Sequence, residues 1–341
     1  MTSMLVTSMA GAQPANSAGN SGGGSDGVTW VAGSEYPATT MPGVGLDTFG
    51  KRLAEHSKGA LQIKPHYDHP LGAIAMLGAV TAGEVQVGDV HGGPLGEVEP
   101  VFNLVSLPFV TSSATDTRCL QSVTRQTYAS AFEAKGVHLL YSTPWPATGL
   151  WSAWAVDTMS DLKRLRVRTY DATSAALMGS LGVYAVNVPF GEAMPRIKSG
   201  DITAVMSSGD GGAGRRLWEH LPHFTDLNYA APLSFTVVNK TAYDKLPQAL
   251  KSAVDRAAAD TETALWDVMR DRAQANRRAM ASNGVIVHAV AAPEIRRELQ
   301  EAGGSVIENW KTQAGPAGAA MLADYERARK TAGESSSLCK N

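Results

Sequence analysis

The residue in this sequence best suited to hold a charged small molecule is Arg168. It ends the run Lys163-Arg-Leu-Arg-Val-Arg168, in which charged and apolar residues alternate. On a strand that alternation turns Leu165 and Val167 to one face and Arg164, Arg166 and Arg168 to the other. Arg164 and Arg166 read equally as a solvated strand face. Arg168 is the strand's last residue, and ligands of open α/β sheets bind beyond the carboxyl ends of strands, where a planar guanidinium can grip a carboxylate through two parallel hydrogen bonds.

A second pattern, Gly209-Asp-Gly-Gly-Ala-Gly214, fits the spacing G-x-G-x-x-G, follows an expected strand, precedes Arg215-Arg-Leu-Trp-Glu and has Asp226 downstream. Such glycines can bring a backbone close to a pyrophosphate at a helix N-terminus. Here they lie far from the first βαβ unit, where that fingerprint belongs, so a glycine-rich connecting loop that approaches another ligand stands beside the dinucleotide reading. His66-Tyr-Asp-His69 holds metal-ligand residue types without a third partner and reads as a polar turn before Pro70. No Walker loop or His-Glu-x-x-His occurs, and the spacing Gly-x-Ser-x-Gly falls only in the leader, at 19–23 and 23–27, not at a strand-to-helix elbow, which leaves hydrolase and phosphoryl-transfer chemistry without a foothold.

The elements that must position these residues alternate between periods of 2 and 3.6. A strand at Val28-Thr-Trp-Val-Ala is followed by a helix carrying Leu46, Phe49, Leu53 and Ala54, a strand over 61–67, a helix over 75–82 and a strand over 85–91 broken by Gly92-Gly93. A second series predicts strands over 137–141, 151–156 and 165–168, a helix over 174–182, a strand over 182–188, a helix over 192–198 and a strand over 202–207. Strands separated by helices imply parallel pairing, and the second α/β unit begins near residue 145, where Trp145, Trp151 and Trp154 cluster. From Pro247, an apolar stripe through Leu250, Val254, Ala258, Leu265, Val268 and Met269 reaches Met280. A helix of about 35 residues is about 50 Å long, enough to cross the backs of two domains. A strand over 286–291 and helices over 293–301 and 303–330 complete the chain.

Composition narrows the function. The 341 residues suggest about two domains, and 30 Lys+Arg against 32 Asp+Glu leave a net charge of −2 with only 18% charged residues, which argues against an electrostatic nucleic-acid binder. No apolar run approaches the ~18 residues that span a bilayer. Cys119 and Cys339 stand 220 positions apart with no C-x-x-C spacing. Two ordinary thiols are the preferred reading, because Cys339 sits in a Ser-rich end, with a disulfide between them left open. The opening segment ends in Ala10-Gly-Ala12 but lacks a basic n-region, so it reads as a weak or truncated export signal, and 17–27 reads as a flexible leader.

Several segments resemble the solute-binding proteins of tripartite ATP-independent periplasmic (TRAP) transporters, the DctP-type family. Asp161-Leu-Lys-Arg-Leu-Arg-Val-Arg168, Leu181-Gly-Val-Tyr-Ala-Val-Asn-Val-Pro-Phe-Gly-Glu192 and Lys198-Ser-Gly-Asp-Ile-Thr203 are similar in order and spacing to family segments. Pro70-Leu-Gly72, the stretch 83–89, Leu107-Pro-Phe109 and the long helix after Leu246-Pro247 add to them. The resemblance implies a periplasmic protein, serving membrane subunits without spanning the membrane itself, whose two α/β lobes close on a small carboxylate without cofactor, metal or catalytic group. It matches Arg168 to the family's carboxylate-binding arginine. The lobes are expected at 28–144 plus about 232–280 and at 145–231 plus about 285–331, each with a mostly parallel sheet, linked by the long helix and flanked by the 1–27 leader and a 332–341 tail.

The sequence departs from the family in three places, one of them Thr203-Ala204, which stands where the family usually has Asp-Gly. Ser207-Ser208-Gly-Asp210 stands where the family often has an asparagine, and Ala147-Thr148 where many members carry a second arginine. A monocarboxylate with a hydroxyl, keto, amino or aromatic portion is therefore expected rather than a dianion. Ser207, Ser208 and Asp210 would hydrogen-bond its polar part, unless Asp210 caps the following helix, and Trp145, Tyr170 and Tyr229 would pack its apolar part. Tyr36 and His91 are expected from position alone, each following a strand end. The alternative is a two-domain α/β enzyme, such as a NAD(P)-dependent oxidoreductase using the Gly209 segment.

Overall fold

In the computed structural model, residues 27–289, 291–332 and Cys339 are described. The expected export signal and most of the leader and tail lie outside them. The first lobe runs β1 (Val28–Gly33), α1 (Met41–Ser57), β2 (Leu61–His66), α2 (Ala73–Ala82), β3 (Val87–His91), two 3-10 turns, α3 (Ala114–Ala134) and β4 (Val137–Pro144). The chain then crosses at 145–147 into the second lobe: β5 (Thr148–Ser152), α4 (Met159–Lys163), β6 (Arg166–Thr169), α5 (Ala172–Ser180), β7 (Tyr184–Asn187), α6 (Phe190–Lys198), β8 (Ala204–Ser208), α7 (Gly209–Gly214) and β9 (His223–Thr225). It returns to the first lobe with β10 (Leu233–Asn239) and α8 (Lys240–Asp244). It then crosses back along α9 (Gln248–Ser282), adds β11 (Ile286–His288) to the second lobe, and ends in α10 (Pro293–Ala332). No helix of the described residues is long and apolar enough to cross a membrane.

The strands form two sheets, ordered β2-β1-β3-β10-β4 and β11-β9-β5-β8-β6-β7. In each, one strand runs against its neighbours: β10 in the first, β5 in the second. These are the strands by which the chain enters a lobe from the crossing, so they run away from it, while every other strand delivers its carboxyl end toward the space between the lobes. β5 begins three residues before the expected strand because its ladder to β8 spans Thr148 to Ser152.

Both faces of each sheet are covered, so strand residues of both parities are buried. Phe235 and Val237 of β10 enter a core with Phe102, Tyr128 and Phe132, while Val238 enters one formed with α1 and α9 through Phe49, Leu53, Val254 and Leu265. The stripe on α9 begins in that core and ends with Met280 in the second lobe, beside Phe190 and Ile197. α10 makes the opposite crossing. Ile295 and Leu299 pack in the second lobe, but Trp310, Met321, Leu322 and Tyr325 pack in the first, so the chain beyond about residue 310 does not belong to the second lobe as its sequence position suggests. Gly303 and Gly304 do not interrupt this helix. It breaks at Gly315, in a positive-φ conformation (φ 64°), just before Pro316.

Two local readings change. The segment 209–214 is a six-residue helix rather than a loop, capped by the Ser208 hydroxyl, which accepts the Gly211 N–H at 3.1 Å. A side chain at Gly212 would collide with the Trp151 ring, and one at Gly214 with Thr40 of the other lobe, so the glycines serve close packing. Cys119 and Cys339 are joined in a disulfide, because the return of α10 along α3 brings the chain end to a cysteine 220 positions away.

A buried polar row crosses the first sheet. Asp89 lies opposite Thr236, which lies opposite Tyr141. Asp89 is 2% exposed; Ser34 Oγ donates to its Oδ2 at 3.0 Å, and its Oδ1 has no protein partner. Burial pushes its carboxyl up to about 8.

Two outcomes follow for stability. The folded chain keeps a proton on Asp89 that the unfolded chain releases above 3.8, so this group's contribution is lost as pH rises from there through about 8. In thermal denaturation across that window, the midpoint of the wild type should fall relative to Asp89→Asn; parallel profiles would refute a neutral Asp89. Peptide mapping without reductant should recover Cys119 and Cys339 cross-linked, and the double substitution to alanine should cost ~2–5 kcal/mol in denaturant unfolding.

Candidate ligand-binding cleft

The carboxyl ends of the strands converge between the lobes on one cavity, with about 310 Å³ of empty volume. Tyr36 follows β1, His91 ends β3, Trp145 follows β4, Arg168 and Tyr170 come from the end of β6, and Ser207 and Ser208 end β8. Seven of the nine residues expected from the sequence therefore line a single site.

Arg168 is 2% exposed. Val167 enters the core behind β6, so strand alternation turns Arg168 to the opposite face, beside Phe190. Its Nε donates to the Val188 carbonyl at 2.8 Å, and its guanidinium carbon lies 3.9 Å from the centre of the Phe190 ring. Among the described residues no carboxylate pairs with it, and its outer nitrogens are left for a ligand. Burial draws its pKa down from the ordinary value, yet an arginine so placed stays charged. The other arginines of the run differ: Arg166 pairs with Asp201 and Arg164 lies over Trp154, both at the surface.

The other polar groups are neutral. His91 Nδ1 accepts the Gly93 N–H at 3.2 Å, which places the proton of a neutral ring on Nε2. Burial, and then the nearby Arg168, push the imidazole down to about 3. Tyr170 and Thr148 share a hydroxyl contact at 3.4 Å, and burial raises the tyrosine pKa. Trp145 Nε1 donates to Ser234 Oγ at 2.9 Å, leaving the indole as a wall that Tyr36 meets edge-on at 4.7 Å. Among the described residues no acidic side chain lines the cavity. The site is one buried positive charge among neutral donors, acceptors and aromatic rings.

Asp210 and Tyr229 lie elsewhere. Asp210 leaves the first turn of α7 on the side facing α9, where Arg272 Nε donates to it at 2.5 Å and Asn276 Nδ2 at 3.3 Å. It also accepts the Met41 N–H of α1 at 2.8 Å. It thus caps a helix of the other lobe, one whose own Thr40 supplies no side-chain cap, while Ser208 caps α7. Tyr229 is fully buried in the second lobe's core, edge-on to Phe109 at 5.8 Å.

Phe190, Thr148, Pro146 and Pro232 also line the cleft. Phe190 sits in the Pro-Phe-Gly-Glu segment, the signal that could have found it. Arg215, just beyond the glycine helix, reaches from the second lobe to the main-chain carbonyl of Glu35, and its guanidinium carbon lies 4.4 Å from the Phe190 ring. The metal-like turn is otherwise engaged: Asp68 lies 3.6 Å from Arg215, and His69 Nδ1 accepts the Leu71 N–H.

Comparison with known proteins bears on this arrangement. Residues 32–313 match the family described as bacterial extracellular solute-binding protein, family 7 (DctP). A solute-binding protein of Chromohalobacter salexigens is 23% identical over 278 residues, 77% of this chain and 79% of that one. The 2,3-diketo-L-gulonate-binding periplasmic protein YiaO of Escherichia coli K12 is 24% identical over 231 residues, 66% of this chain and 70% of that one. Among solved structures, DctP7 of Bordetella pertussis, an extracytoplasmic solute receptor binding pyroglutamic acid, superposes with a TM-score of 0.84 at 28% identity, covering 88% of this chain and 99% of that one. A marine-metagenome TRAP solute-binding protein specific for pyroglutamate gives 0.83 at 25%, with the same coverage. With two α/β lobes, strand ends meeting at a buried arginine, and a family match across most of its length, the chain belongs to the DctP family of extracellular solute-binding proteins.

Proposed function

We propose that the chain is the periplasmic receptor of a TRAP-type transporter and that its solute is a small monocarboxylate without a free ammonium group, pyroglutamate being the type. The observation that carries this is Arg168, a buried cation that among the described residues has no carboxylate partner and no acidic side chain beside it in the cleft lining. An unpaired buried charge is costly, and a carboxylate ligand removes the cost through charge-assisted bonds. An ammonium group, or a second carboxylate, would itself be buried without a partner. A lactam, hydroxyl or keto group instead finds the neutral His91 Nε2–H and the hydroxyls of Ser207, Ser208 and Tyr170. Two structural relatives that bind pyroglutamate, at 28% and 25% identity, support the choice.

Capture works by closure rather than by chemistry. The rim is bridged between lobes by Asn187 Nδ2 to Glu97 Oε1 at 3.1 Å and by Thr173 Oγ1 to Asn103 Oδ1 at 2.7 Å, while α9 and α10 bind both lobes. A ligand spanning the cleft favours the closed state by its differential affinity, and membrane subunits then receive the loaded form. The Cys119–Cys339 disulfide suits an oxidising compartment such as the periplasm. None of these steps calls for a catalytic group.

Calorimetry should find pyroglutamate bound, with proline and glutamate, which carry the ammonium group, far weaker. Saturation at a hundred times Kd should raise stability by ~2.7 kcal/mol. Arg168→Ala should weaken binding by roughly thirtyfold or more, as expected when one partner of a buried charge pair is removed. Binding of proline as tightly as pyroglutamate, or indifference to Arg168→Ala, would overturn the reading.

A further inference from the structure

Arg168, Tyr36 and Tyr170 form a partition rather than an end wall. The same three side chains line a second hollow between the lobes, with about 830 Å³ of empty volume against about 310 Å³ in the cleft. Its apolar surface comes from Ala73 and Ile74 in the first turn of α2 and from Pro94, all in the first lobe, and from Pro189 across the gap. Ile74 is 40% exposed, one of the few large apolar side chains left so open. Two carboxylates, Glu35 and Glu97, also face this hollow, and among the described residues its one lining cation is Arg168 itself. Glu97 is joined to Asn187, another lining residue, so the hollow persists while the lobes are closed.

We propose that this hollow is a tail subsite, which admits monocarboxylates whose acid group is held by Arg168 and whose uncharged aliphatic or aryl-alkyl chain lies against Ile74, Pro94 and Pro189. The inference rests on the Arg168 anchor of the proposed function and adds a second class of ligand. Geometry points to it because the guanidinium borders both compartments: an acid anchored there can extend either way, and the larger compartment offers an uncharged chain the apolar wall of Ala73, Ile74, Pro94 and Pro189. Charge then sets the class. A chain ending in a second carboxylate would meet Glu35 and Glu97 while Arg168, the lining cation among the described residues, is engaged by the first acid group, so dicarboxylates of equal length are disfavoured.

The test is calorimetry on the full chain with butyrate, hexanoate, octanoate and 3-phenylpropionate, with suberate as the dicarboxylate of octanoate's length and pyroglutamate as the cleft ligand. Affinity should rise along the monocarboxylate series by up to about fourfold per buried methylene, and suberate should fall well below octanoate. Ile74→Glu, at an exposed position that tolerates charge, should abolish the rise and leave pyroglutamate binding unchanged. Flat affinity along the series, a rise that survives Ile74→Glu, or suberate equal to octanoate would overturn the subsite while leaving the cleft reading intact. Failure of pyroglutamate and of every other acid to bind would instead remove the Arg168 anchor, and both readings with it.

Discussion

Arg168 places a full positive charge where water scarcely reaches, and the surrounding structure is organised around that cost. A buried cation without a counter-ion is unfavourable by several kcal/mol, so a protein keeps one only where something else completes it. The partial compensation here is all neutral: a main-chain carbonyl on Nε and the face of Phe190 against the guanidinium. The neighbouring histidine is held uncharged by the same burial that makes the arginine costly. The site is thereby suited to an anion, and among the described residues no carboxylate lines it.

Holding such a group between two lobes constrains the topology. Strands must aim their carboxyl ends at the gap, so the strand that enters each lobe from the crossing has to run the other way, and β5 and β10 do. The lobes are also tied together at several places. Two connecting segments and two helices cross between them, and the crossing helices exchange partners: α9 begins in the first lobe's core and ends in the second's, while α10 does the reverse. Asp210 adds a link of its own, a carboxylate of the second lobe held by α9 that caps the first helix of the first lobe. The glycines of α7 belong to the same arrangement, since only residues without side chains let that helix lie against both Trp151 and Thr40.

Much of this was legible in the sequence because it depends on local periodicity. The alternation in 163–168 places Arg168 on the face opposite Val167, and the long apolar stripe after Pro247 is α9 almost to its ends. The residues at or just after strand ends, His91 and then Tyr36, Trp145 and Tyr170, were reachable because parallel α/β sheets gather such positions on one edge. Asp210 and Tyr229 were misplaced for one reason: nearness in sequence to a strand end does not fix the direction of a side chain. Asp210 sits two residues beyond Ser208 but on a helix, whose turn carries it round toward α9.

The amino-acid sequence by itself determined the two α/β units, the family resemblance and the anionic character of the ligand, since these follow from residue type and short-range spacing. Only the tertiary structure decided that the glycine run packs as a helix, that Cys119 meets Cys339, that α10 returns to the first lobe, and that among the described residues no acidic side chain lines the cleft. Each of those depends on which distant segments share a surface, through contacts 220 residues apart in the case of the disulfide. No local pattern encodes such contacts, because burial and charge pairing are properties of the assembled interior.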